Sequence, residues 1–287
     1  MKKTIAYFFQ SIIIYSFFLI SKIIGLKISR LIFSYIFIKI GNLFKSKKVI
    51  LENLDKIDPS LSSKEKGNII KKMWSNYGKT FIEYAHLKKL KSKTDHISIK
   101  NKYIIEDILN DKKPVIFISG HFANYELMSM ELRKANIKLA TIYRPLNNFF
   151  LNPYMEYVRK NFVCENQIKK GLNGVKEALG YLKNNYSVAL MVDQRVSEGL
   201  KIPFFKNDAY TTTLPAQFSY RFNCKIVPIY IARKNDDSFE MEILSPIDLP
   251  SNVKDQKEVV SKKINKVIEE LILRDPSQWI LTHNRWK

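Results

Sequence analysis

The 287-residue chain has four histidines, His86, His96, His121 and His283, and one of them stands where α/β enzymes place reactive groups. His121 follows an apolar run, PVIFIS, and Gly120. The run reads as a buried strand, and open sheets bind ligands at the carboxyl ends of their strands. Five residues further on comes Glu126. On one continuous helix, residues five apart are turned by about 140° from each other. The two side chains therefore meet only if His121 lies in the turn and Glu126 in the first turn of the next helix. Asn124 is the candidate N-cap of that helix, and the helix dipole favours an ionised carboxylate there. A carboxylate that accepts from one imidazole nitrogen leaves the other free as a base, able to take the proton of a hydroxyl as it attacks a carbonyl. The chain has no Gly-x-Ser-x-Gly elbow, and neither Cys164 nor Cys224 carries a comparable signal. Direct acyl transfer to an acceptor hydroxyl thus fits better than a covalent acyl-enzyme. By itself a His-x4-Glu pair is weak, because a lone strand-end histidine serves packing more often than chemistry.

Other residues could support such a site. Arg144 precedes Pro145, which favours an extended, loop-borne backbone suited to ligand contact. Asp193 falls directly after a strand-like run and reads equally as a ligand contact or a turn cap. Lys169 and Lys170 read as phosphate ligands or as the solvated start of a helix, with solvation favoured, and His86 and His96, without supporting neighbours, as surface residues.

The elements that must position these groups alternate. Residues 114–119, 138–143, 187–192, 225–231 and 239–244 have strand character, and 124–134, 148–162, 172–183 and 253–274 helical periodicity. Ser62 and Glu65 form a capping box ahead of a long amphipathic helix running to about His86. Strand–helix alternation predicts an α/β fold with a central, largely parallel sheet flanked by helices.

The first 50 residues differ from the rest. Thr4 to Ser21 is an uncharged apolar run preceded by Lys2 and Lys3, a second apolar run covers Leu31 to Phe44, and no Asp or Glu occurs before Glu52. The first run is just long enough to span a bilayer. It lacks the small-residue site of a cleaved signal peptide, so a spanning anchor and a hairpin or interfacial pair of helices both stay open. The expected division is residues 1–48 as membrane anchor or interfacial helices and 49–287 as the catalytic domain. With 48 Lys plus Arg against 27 Asp plus Glu, the net charge of +21 favours anionic partners, although Lys-, Ile- and Asn-rich composition discounts its size. The composition excludes collagen-like, low-complexity and disordered classes. Two distant cysteines give neither a disulfide framework nor a CxxC motif.

In order along the chain stand ENLDKIDPSLSSKEK at 52–66, the stretch Trp74 to Tyr84, GHFANYELM at 120–128, IYRPLNN at 142–148, MVDQR at 191–195, IPFFKNDAYTT at 202–212 and DPSQWILTHNRWK at 275–287. As a set these resemble the late acyltransferases of lipid A biosynthesis, within the lysophospholipid-acyltransferase-like superfamily, over nearly the whole chain. The resemblance implies a glycerolipid-acyltransferase-like fold and a fatty acyl chain passing from acyl carrier protein to a hydroxyl of a lipid A precursor. It also implies His121 as general base with Glu126 as its partner. Arg144 matches an arginine that would hold anionic head groups and Arg159 another frequent family arginine, both expected to bind substrate, and Asp193 and Gln194 match the family's Asp-Gln pair, with Arg195 where that family often has an acidic residue. The closing motif departs too, with Leu281 and Thr282 before His283 and Asn284 in place of an arginine. No metal or organic cofactor is implied, and the expected place is the inner membrane, with the catalytic domain on its cytoplasmic face.

Two alternatives remain. The acceptor could be a lysophospholipid or another glycolipid, with unchanged chemistry. A non-catalytic basic membrane protein that binds anionic lipid or nucleic acid is the other reading, against which the chain shows no nucleic-acid-binding motif.

Overall fold

The computed structural model describes residues 2–250 and 255–286. Two apolar helices open the chain, α1 (Lys2–Ile24) and α2 (Leu26–Phe44). They are hinged at Gly25, whose φ of 83° suits a residue without Cβ. Helix α3 (Lys47–Ile57) leads to α4 (Ser63–Glu83), and the capping box forms as its sequence predicts. The Ser62 hydroxyl accepts from the Glu65 N–H at 3.3 Å while the Glu65 carboxylate accepts from the Ser62 N–H at 2.8 Å. Helices α2 and α4 pack closely because Gly78 has no side chain: a Cβ there would collide with the Phe33 carbonyl. After α4 a short 3-10 turn, Tyr84–His86, leads into α5 (Leu87–Ser92).

The remaining elements build the predicted α/β core. They are β1 (Ile97–Lys100), α6 (Tyr103–Asp111), β2 (Ile116–Ser119), α7 (Glu126–Lys134), β3 (Leu139–Tyr143), α8 (Asn152–Val158), β4 (Asn166–Lys169), α9 (Leu172–Lys183), β5 (Ser187–Met191), the β6–β7 hairpin (Leu200–Phe204 and Asn207–Thr211), α10 (Leu214–Phe222), β8 (Ile226–Arg233), β9 (Phe239–Ile243) and α11 (Gln256–Arg274). Seven strands form one sheet in the order β1-β9-β8-β2-β5-β3-β4, parallel except where β9 meets β8. Alternation along β2 divides the core. Ile116 and Ile118 face a cluster that includes Ile50, Leu54, Ile264 and Ile268, whereas Phe117 faces one with Ile105, Leu127 and Met128. A third cluster joins Phe18, Phe33 and Ile82 of α1, α2 and α4.

The differences from the sequence reading lie at edges. Asn124 does not cap α7, which begins at Glu126 without a side-chain cap; the Asn124 amide donates to Glu83 instead, at 2.9 Å. The expected helix over 148–162 shortens to α8 followed by a π turn, Arg159–Val163. His86 and His96 are buried, not on the surface. His86 Nε2 lies 2.7 Å from the Ser21 hydroxyl of α1.

Candidate active site

The register of two parallel strands builds the centre of the site. Ser119 of β2 pairs with Met191 of β5, and the pairing continues one step as the Val192 N–H donates to the Ser119 carbonyl at 2.9 Å. Two residues beyond each strand, His121 and Asp193 therefore emerge side by side. Asp193 Oδ1 accepts from His121 Nδ1 at 2.7 Å. Its Oδ2 accepts the backbone N–H of His121 at 2.9 Å and the Trp279 indole N–H at 2.7 Å. Burial alone would raise the Asp193 carboxyl, but the His121 imidazole, with the N–H donors from His121 and Trp279, outweighs it and holds the group at about 2. An ionised Asp193 fixes the proton on Nδ1, so Nε2 carries the lone pair. The Gln194 amide nitrogen comes within 3.5 Å of that Nε2.

The carboxylate that contacts the imidazole is thus that of Asp193, and the expected Glu126 contact is not made. Glu126 opens α7 beneath the turn, where Tyr84 donates to its Oε1 at 2.7 Å and Arg159 Nε at 2.8 Å. Arg159 is largely buried in this pair, its guanidinium 5.5 Å from the Tyr143 ring, and it lines part of an apolar cavity. Burial would lower the Arg159 pKa, yet Glu126 beside it turns the shift upward. Burial and the same carboxylate push Tyr125 up to about 12 and raise Tyr84 as well, so both stay protonated hydroxyls. The link to the imidazole runs through Tyr125, whose ring meets that of His121 edge-on at 4.6 Å. The sequence signal was genuine in type but misled on partner: spacing alone registers neighbours along the chain, and Asp193 comes from the adjacent strand.

Two cavities are lined by neighbours of the pair, one by Arg195 and His283 and the other by Ala123, Tyr125 and Trp279. One, of about 710 Å³, is cationic, lined by Lys45, Arg144, Lys170, Arg195 and His283 among others. Arg144 and Lys170 thus line one basin, with Lys170 exposed just ahead of α9, at the solvated helix start that the sequence suggested. Arg195 is held by its N–H, which donates to His283 Nε2 at 3.2 Å, and by its guanidinium, 5.3 Å from the Tyr210 ring. Burial lowers the His283 pKa, which suits this acceptor role. The other cavity, of about 590 Å³, is mainly apolar and runs from Trp279, Ala123 and Tyr125 to Phe18, Phe81 and Tyr154. Helix α1 forms one of its walls. Lys45 lines both cavities, so they adjoin. Of the closing motif, Trp279 and His283 carry roles that the sequence did not assign. Arg285 is structural, fully buried with donors to the Tyr210 carbonyl and Thr211 hydroxyl at 2.6 and 2.7 Å. Only its position in a C-terminal segment returning to the sheet's mouth explains Trp279, and no local pattern announces that return.

An imidazole–carboxylate pair whose neighbours line a cationic basin and an apolar cavity is a site shaped for an anionic amphiphile. Residues 2–287 match the family described as bacterial lipid A biosynthesis acyltransferase. The lipid A biosynthesis lauroyltransferase of Escherichia coli (strain K12) is 23% identical over 248 residues, covering 84% of this chain and 78% of that protein. The lipid A biosynthesis palmitoleoyltransferase of the same strain is 24% identical over 253 residues, covering 85% and 79%. A lipid A biosynthesis acyltransferase of Shigella flexneri is 24% identical over the same length. The chain belongs to the bacterial lipid A biosynthesis acyltransferase family and is an acyltransferase.

Proposed function

We propose that this enzyme moves a fatty acyl chain from the thioester of acyl carrier protein to a hydroxyl of a lipid A precursor, with His121 as general base. The acceptor hydroxyl gives its proton to His121 Nε2 as its oxygen attacks the thioester carbonyl. The tetrahedral oxyanion collapses, the carbon–sulfur bond breaks, and the imidazolium returns the proton to the departing thiolate. Asp193 keeps the imidazole in the required tautomer and steadies its charge. The observation that carries this reading is the His121–Asp193 pair, whose imidazole is 17% exposed and whose contacts Tyr125 and Trp279 line the apolar cavity. The thiols do not suggest a nucleophile: both cysteines are buried, and burial pushes Cys224 up to about 12.

The basin of Lys45, Arg144, Lys170 and Arg195 suits the acceptor's anionic head, and the apolar cavity suits an acyl chain. Glu126, Arg159 and Tyr84 would then shape that cavity beside the base, and Gln194 would border the acceptor oxygen. Residues 1–48 would seat the enzyme at the cytoplasmic face of the inner membrane. Helix α1 is fastened to the domain near both ends, since Asn148 Nδ2 donates to the Tyr7 carbonyl at 2.9 Å and Ser21 meets His86. Those contacts lie about 21 Å apart along the helix. A helix that spanned the bilayer while keeping these contacts would carry Asn148 and His86 into hydrocarbon, whereas an interfacial seat leaves them outside it.

Purified enzyme, incubated with acyl carrier protein thioesters and a panel of lipid A precursors, lysophospholipids and other glycolipids, tests the proposal by product mass. Acylated lipid A precursor is expected, lost in His121→Ala without loss of the fold. Turnover retained by that variant would overturn the mechanism, and exclusive acylation of a lysophospholipid would overturn the acceptor.

A further inference from the structure

The turn that carries His121 contains a residue in an unfavourable conformation. Ala123 has a φ of 43°, in the left-handed region that side chains with a Cβ avoid. Such a conformation persists only where surroundings over-determine it. Here three contacts hold the turn. The Ala123 N–H donates to the Gln278 carbonyl at 2.8 Å, its own carbonyl accepts from the Thr80 hydroxyl at 3.3 Å, and the Asn124 amide donates to Glu83 Oε2 at 2.9 Å.

These anchors are joined behind the turn. Glu83 is fully buried and lies between two arginines, Arg30 of α2 at 2.6 Å and Arg233 of β8, whose Nη2 donates at 2.9 Å. Arg233 Nη2 also reaches the Thr80 hydroxyl at 3.1 Å. Its backbone N–H donates to Gln278 Oε1 at 3.1 Å. The contacts close a ring: Ala123, Gln278, Arg233, Glu83, Asn124. Phe239 packs against Arg233 with the guanidinium 4.6 Å from the ring, so the cluster is fixed from behind as well. Nothing in the transfer chemistry uses Glu83, and a buried carboxylate between two guanidinium groups is an expensive way to join helices.

We propose that Glu83, acting through Asn124 and Thr80, is a positioning residue that holds the strained turn so that the His121 imidazole meets Asp193 and the acceptor. Because Arg30 belongs to α2, the ring also ties the seating of the apolar helices to the geometry of the base. This inference rests on His121 being the base.

The test reads the ring at its two light ends, since Glu83→Ala would strand two buried guanidinium groups and is expected not to fold. Asn124→Ala and Thr80→Val leave the Arg30–Glu83–Arg233 cluster in place. Each is expected to lower kcat at least tenfold, with KM for donor and acceptor within twofold of the parent, a thermal midpoint within a few degrees and unmoved inflections in the pH–rate profile. A kcat within twofold of the parent in both folded variants would overturn the proposal, as would a loss matched by an equal loss of folded protein. Should one variant fail to fold, the other decides. His121→Ala run alongside separates the two readings: activity there removes the base itself, whereas an inactive His121→Ala beside a fully active Asn124→Ala removes only the ring.

Discussion

Asp193 is the residue on which the site's electrostatics turn. It accepts three N–H groups and stays ionised to about pH 2. Its folded pKa lies below the unfolded one, so its contribution to stability is complete above the unfolded value near 4 and is lost as pH falls through about 2. Asp193→Asn keeps the shape but allows the wrong imidazole tautomer, and kcat is expected to fall by roughly 10²–10⁴-fold with the fold intact, as measured by steady-state assay and circular dichroism. His96 makes a separate prediction. It is buried with neither ring nitrogen hydrogen-bonded among the described residues, and burial, with Lys134 and Lys93 nearby, lowers it to about 4. Between pH 6.5 and 4 the unfolded chain takes up the proton first, so stability declines over that interval as the medium is acidified. His96→Leu should flatten the fall of the thermal midpoint across those pH values; an unchanged slope would refute the assignment.

Among the elements, strands read from apolar runs fall where expected because β2, β5 and β8 are buried on both faces, and α9 matches at both ends because its apolar periodicity is unbroken. The strands β1 and β4 were not expected: each is four residues long at a sheet edge and carries Lys or Asn, so its pattern is too short and too polar. His121 was visible through its place after a buried strand. Its partner was hidden because strand order, which sets β5 beside β2, is a long-range property that one segment's spacing does not contain. At this scale the apolar cavity makes its own prediction. Phe18 of α1 lines it, packed at 5.5 Å from Phe81 and 5.4 Å from Tyr154. Phe18→Ala should lengthen the cavity and shift preference toward longer acyl thioesters in competition assays with mixed chain lengths; an unshifted product distribution would place the chain elsewhere.

Over the whole molecule, apolar exposure is concentrated on α1 and α2. Leu19 is 64% exposed, Ile23 78% and Leu31 62%, all on helices whose opposite sides are packed against the domain. Adjoining patches of this kind mark membrane or partner surfaces. Leu19→Asp with Ile23→Asp should release the enzyme from anionic vesicles in a flotation assay while leaving its fold, whereas raising salt, which screens only the +21 charge, should weaken binding less.

Helix α1 has two working sides, one bare and greasy, the other forming part of the chamber's lining with Tyr7, Ile14 and Phe18. A change in one side turns or tilts the other. Trimming this helix to obtain a water-soluble enzyme would therefore leave the chamber with a missing plank, and lineages adapting to a different bilayer would be expected to retune the length of fatty acid they hand over in the same stroke.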